Sequence, residues 1–126
     1  MKKIIYSQNA PAPIGPYSQA VMVGNMLYTS GQIALNPDTM ELVLDNIEAE
    51  TKQVMENLKA LLEAAEMSFE HVLKATIFIT DMNNFARINS VYSTYFDEAT
   101  APARETVQVA ALPKFVNIEI SVIATK

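Results

Sequence analysis

Few side chains in these 126 residues can do chemistry. There is no cysteine and a single histidine, His71, which removes disulfides, thiolate metal sites, cysteine nucleophiles and any multi-histidine metal centre together. His71 follows Phe69-Glu70 just before an apolar run and reads as a surface or half-buried turn residue. Asp45, Glu48 and Glu50 read as a solvated helix start that complements the helix dipole, not as a metal site. Gly15, Gly24 and Gly31 are the only glycines and are too scattered to cradle a dinucleotide or a phosphate chain, so no nucleotide cofactor is expected. What remains is guanidinium and carboxylate chemistry. The arginines are Arg87 and Arg104. A guanidinium fork is the best clamp for a planar carboxylate, and one nearby carboxylate suffices to activate a water or move a proton.

Those groups need elements to hold them. Ile47, Thr51, Val54, Met55, Leu58, Leu61, Leu62 and Ala65 recur at the spacing of one helical face. They predict a helix over residues 47–66 with Asp45 or Asn46 as its cap and a Glu48 to Lys52 pair on its wet side. Phe85, Ile88, Tyr92, Tyr95 and Phe96 mark a second helix starting near Asp81, with Arg87 among its polar positions. Between the helices, Ala75, Ile77 and Ile79 alternate with Thr76, Phe78 and Thr80, a strand buried on most of both faces. Residues 19–23 and 26–33 flank Gly24-Asn25 as a hairpin. Residues 104–109 and 116–124 are two more strands, joined through Leu112-Pro113-Lys114. The class is α+β, and the pattern leaves the strand order open.

Parity along the last two strands separates Val116, Ile118, Ile120 and Val122 from Asn117, Glu119 and Ser121, and Val107 and Val109 from Arg104, Thr106 and Gln108. If the helices cover the apolar side, the two polar sets lie together on the uncovered side. A guanidinium and a carboxylate there are either an ion pair on a solvated surface or the wall of a site.

Composition narrows the partners. Nine Lys and Arg against fourteen Asp and Glu give a net charge of −5, which supplies no basic stripe for nucleic acid. The apolar stretch from Ile4 to Tyr6 is far too short for a signal-peptide core and no run approaches a membrane span, so a cytoplasmic protein with no membrane partner is expected. With half its residues hydrophobic and 18% charged, the chain reads as one folded domain over residues 1–126.

Gly15-Pro16-Tyr17-Ser18-Gln19, Thr29-Ser30-Gly31-Gln32-Ile33, Pro102-Ala103-Arg104-Glu105-Thr106-Val107-Gln108-Val109 with Leu112-Pro113, and Ile118-Glu119-Ile120 together resemble the reactive intermediate deaminase (RidA, formerly YjgF) family. The similarity covers essentially the whole chain, including Asn46 at the helix start and Phe78 to Met82. It implies a chorismate-mutase-like α+β fold with two helices packed on one face of the sheet. It also implies a homotrimer whose sheets form a central β-barrel, with sites in the clefts between subunits.

The implied activity is hydrolysis of 2-imino acids and their enamine tautomers, such as 2-iminobutanoate and 2-iminopropanoate, to 2-keto acids and ammonium, with no cofactor and no metal. Carried over by motif, Arg104 would hold the substrate carboxylate, Glu119 would position or activate water, Tyr17 and Ser30 would line the pocket, and Asn89 would lie near it. Thr106 stands where some members have cysteine, and Glu105 departs from the small residue often found after the arginine. The alternative is a non-catalytic trimer that binds a small carboxylate metabolite in the same cleft. Such a binder needs Arg104 but not Glu119. A ribonuclease, a reading sometimes attached to this family, is disfavoured by the acidic balance and the lone histidine.

Overall fold

A computed structural model describes residues 1–126. Its strands are β1 (Lys2–Ile5), β2 (Ala20–Val23), β3 (Met26–Thr29), β4 (Val72–Ile79), β5 (Ala103–Gln108) and β6 (Ile118–Thr125). Helix α1 (Ile47–Ala64) lies between β3 and β4 in the chain, and α2 (Phe85–Tyr92) lies between β4 and β5. One sheet forms in the order β1-β2-β3-β6-β4-β5. Only β4 and β5 are parallel; every other neighbouring pair is antiparallel. The last strand in sequence thus inserts between β3 and β4, a long-range pairing that no local pattern encodes.

Local chemistry explains most element boundaries. The Asn46 side chain accepts a hydrogen bond from the Ala49 amide at 2.8 Å and caps α1. Asp81 accepts from the Asn83 amide at 2.9 Å, starting a 3₁₀ turn, Met82–Asn84, that runs on into α2. Gly24, with φ +59°, makes the β2–β3 turn. Strand β1 was not expected, because Lys2-Lys3-Ile4-Ile5 does not alternate; it is held by pairing from Lys2 opposite Val23 to Ile5 opposite Ala20.

The two helices pack on each other and on one face of the sheet. Val54, Met55, Leu58 and Leu62 of α1 and Ile88 of α2 meet Ala75, Ile77 and Ile79 of β4 and Ile118, Ile120 and Val122 of β6. Each fully buried aliphatic side chain contributes about 1.5–3 kcal/mol. The opposite face carries Ile4, Val21, Tyr28 and Ile123 in one cross-strand row. Nothing in the chain covers Ile4, Val23, Tyr28 or Val107, all more than 40% exposed.

Two expectations fail here. Arg104 pairs with Ala75, Thr106 with Ile77 and Gln108 with Ile79, and paired residues on adjacent strands point to the same side. The polar set of β5 therefore faces the helices, and Val107 faces outward beside Phe78. Glu119 also pairs with Phe78 and lies on the uncovered face, so Arg104 and Glu119 occupy opposite faces instead of sharing one. The reason is the edge position of β5, whose helix side meets α2 and its capping turn rather than the deep core. Gln108, for example, accepts from the Met82 amide at 2.7 Å. Second, Glu50 is not solvated: at 1% exposure, its carboxylate accepts from the backbone and side-chain nitrogens of Asn117, both at 2.8 Å.

Candidate functional site

Glu119 opens into a cavity of about 480 Å³ on the uncovered side, which Tyr17, Ser30, Gly31, Pro113 and Lys114 also line. Gln19, almost fully buried, shapes one wall. Its amide accepts from the Ser7 nitrogen at 2.7 Å and donates to the carbonyls of Ser7 and Pro11, both at 2.9 Å. Gly15, at φ +120°, turns the chain in a conformation that favours glycine and delivers Tyr17, which is half exposed. The Ser30 hydroxyl donates to the Ser18 carbonyl at 2.6 Å, tying the second motif to the first.

The carboxylate itself is held by space and burial. A β-carbon on Gly31 would lie 2.6 Å from the Glu119 carboxyl carbon, so only glycine leaves that volume free. Two bonds between Gln32 and Ile120, of 2.8 and 3.1 Å, fix the backbones beside it. The Glu50–Asn117 clamp fixes the chain two residues before it. Burial pushes the Glu119 carboxyl above its ordinary value, and no hydrogen bond or charge within the chain opposes that shift. A half-buried carboxylate without a partner can accept a proton from water.

Arg104 and Asn89 line a different cavity, of about 760 Å³, between α2 and β5, together with Tyr92, Phe96 and Glu98. The Arg104 Nη1 donates to Asn89 Oδ1 at 2.7 Å. Its guanidinium carbon lies 5.4 Å from the centre of the Phe85 ring and 5.1 Å from that of Tyr92. No carboxylate reaches it. Arg87, by contrast, is engaged by both oxygens of Glu48, at 2.7 and 2.9 Å. The Tyr92 hydroxyl is buried without a hydrogen-bond partner; its burial raises the phenol pKa more than the charge of Arg104 lowers it.

The five expected residues therefore form two groups: Tyr17, Ser30 and Glu119 in one cavity, Asn89 and Arg104 in the other. Glu105 turns to the face away from Arg104, where it accepts from Thr76 at 3.3 Å and pairs with Lys74 at 3.3 Å. His71 Nδ1 accepts from the Ser68 amide at 3.0 Å, a structural cap. No three His, Asp or Glu side chains converge to hold a metal ion, and no helix is long and apolar enough to cross a membrane. Gly31, Gln19 and Glu50 escaped the sequence reading as site-shaping residues. Gln19 and Gly31 stand inside the first and second motifs, and Glu50 is three residues after Ile47 and four before Val54, on the apolar stripe of α1.

The family model described as Endoribonuclease L-PSP matches residues 7–126. The chain belongs to this family, the YjgF or Rid family. Among Rid-family relatives, the 2-iminobutanoate/2-iminopropanoate deaminase of Escherichia coli (strain K12) is 48% identical over 128 residues, covering 100% of this chain and 99% of the relative. A RutC family protein of Pyrococcus horikoshii is 52% identical over 126 residues, covering 100% and 99%. The crystal structure of a Rid-family protein from Yersinia pestis matches at TM-score 0.97 and 48% identity over 100% of both chains. That of E. coli TdcF with bound serine matches at TM-score 0.92 and 48% identity over 98% of both. The names within the Rid family thus span RNA cleavage and imine hydrolysis.

Proposed function

We propose that this Rid-family chain hydrolyses 2-imino acids and their enamine tautomers, 2-iminobutanoate and 2-iminopropanoate among them, to 2-keto acids and ammonium. We propose further that it does so as a homotrimer with a central barrel, its sites lying between copies. The observation that carries this reading is a pair of uncommitted groups: a guanidinium fork with no carboxylate and a half-buried carboxylate with no donor. They lie on opposite faces of one sheet. A single chain cannot close them on one small substrate, whereas a second copy can bring its Arg104 side to the first copy's Glu119 side. The uncovered apolar face supplies a reason for copies to associate.

The chemistry follows from those groups. Arg104 holds the substrate carboxylate in one orientation, which fixes the adjacent imine carbon. A protonated imine is already electrophilic, so no nucleophilic side chain is required. Glu119 takes a proton from water as its oxygen bonds to that carbon. Glu119 then gives that proton to the nitrogen of the tetrahedral adduct. The C–N bond breaks with its electron pair going to the departing ammonia, and the C=O bond forms as the hydroxyl proton passes to Glu119 and on to the ammonia, which leaves as ammonium. Tyr17 and Ser30 shape the pocket. RNA cleavage finds less support, because the net charge is −5 and the single imidazole caps a turn.

The test generates imino acid in place with an amino-acid oxidase and follows keto-acid release, with sedimentation on the same sample. Acceleration by a trimer is expected. A folded trimer that binds small carboxylates without accelerating release would instead be a metabolite-binding protein, and a stable monomer at micromolar concentration would remove the shared site.

A further inference from the structure

Phe85, Asn89 and Tyr92 lie at i, i+4 and i+7 on α2, a single stripe of the helix. Two of them place ring faces within ~6 Å of the Arg104 guanidinium carbon, the range in which a cation is drawn to the aromatic quadrupole. The third accepts one Nη1 hydrogen. A guanidinium is planar and weakly hydrated, so it stacks on rings where a compact, strongly hydrated ammonium does not. Against these three restraints, the Nε and Nη2 donors have no partner within the chain.

We propose that Phe85 and Tyr92 are positioning residues: with Asn89 they form a clamp, built for a guanidinium, that orders Arg104 before any ligand arrives and leaves one donor edge free for a carboxylate. This rests on the reading of Arg104 as the carboxylate anchor. The clamp uses the faces of the rings, not the Tyr92 hydroxyl, which has no partner. Phe85→Leu, at a half-buried position where an apolar side chain still fills space, should therefore weaken anchoring. Loss of clamping appears in KM and in competition by pyruvate, a small keto-acid probe, before it appears in kcat.

The decisive experiment removes the side chain and returns its head. Arg104→Ala should be inactive. Methylguanidinium below denaturing concentration should restore turnover about tenfold over that background, and methylammonium should not. Adding Phe85→Leu to Arg104→Ala should abolish the rescue. In the unmodified protein, the Arg104 Hε resonance should be displaced by ring currents, and it should return toward its free value in Phe85→Leu, a readout independent of turnover. Equal rescue with and without Phe85, equal rescue by methylammonium, or an Arg104 resonance without ring-current displacement would overturn the clamp. Full activity of Arg104→Ala would overturn the anchor reading instead, and the resonance would still decide the clamp.

Discussion

The two cavities prepare their charged groups by different physical means. At Glu119 the means are space and desolvation: a missing β-carbon at Gly31 and burial that raises the carboxyl pKa. At Arg104 they are cation–π contacts with two rings and one hydrogen bond, all from a single helix. The difference follows from the groups themselves. A carboxylate has a pKa that burial can move toward the working range, so its surroundings tune it. A guanidinium stays charged in any protein environment, so its surroundings can only orient it.

If the cavities are halves of one site, Arg104→Ala and Glu119→Gln should each lower turnover by on the order of 10²-fold or more. Refolding the two variants together should then recover activity, because a mixed assembly rebuilds intact sites from a good Arg104 and a good Glu119 on different copies. At equal mixing, about a quarter of sites should be intact. Keto-acid formation across mixing ratios measures this. A mixture as inactive as its parents would show that the cavities work separately.

Gly31→Ala probes the carboxylate side alone. Gly31 does not need a left-handed backbone, and the atoms a methyl would strike belong to the mobile end of Glu119. The fold should persist while the carboxylate is pushed aside, lowering kcat on the order of 10- to 100-fold. A normal kcat with unchanged melting temperature would mean that the placement of Glu119 is not critical.

The pH dependence follows from the same burial. Since the active form is the carboxylate and its pKa is raised, kcat/KM should rise with pH through an apparent value above that of an ordinary carboxyl. Glu119→Gln should lose this limb. The sign for stability is opposite: a raised folded-state pKa favours the protonated fold, so the contribution is present at low pH and lost as pH rises through the folded value. Replacement by Gln should therefore gain stability relative to the unmodified protein as pH increases, as denaturant midpoints at several pH values can check.

Much of this arrangement is legible in the residues. The α1 stripe, the Asn46 cap and the parity of β6 are local, and each appears as read. Strand β4, expected to be buried on most of both faces, is buried only on the side of Ala75, Ile77 and Ile79, because the helices cover one face alone. What escapes is non-local. Alternation in β5 separates two faces but does not say which one the helices cover, and at a sheet edge the polar side turned inward. The clamp escaped for a related reason: Phe85 and Tyr92 have the spacing of core residues, and only the pairing of Arg104 with Ala75 gives them a second task. Gly31 stands inside the Thr29-Ser30-Gly31-Gln32 motif, but no local pattern states its task, which lies in a neighbour 88 residues away along the chain.

The smallest expected effect separates the two arginines. Both are attached to this part of the fold, Arg87 on α2 itself and Arg104 on the strand packed beside it. Arg87, however, is exposed and fork-to-fork with Glu48, which takes the place expected for a Glu48 to Lys52 pair. An ion pair in solvent is screened by water and salt and contributes little. Its donors are also spent on an internal carboxylate, leaving nothing for a ligand. Arg87→Ala should therefore keep turnover within about twofold of the unmodified protein and preserve assembly. Arg104→Ala, which removes the same charge from the same region, should be nearly inactive. Assaying the two variants side by side separates specific anchoring from the general field of a positive charge near α2. A loss at Arg87 matching the loss at Arg104 would assign the effect to that field and remove the special standing of the clamped fork.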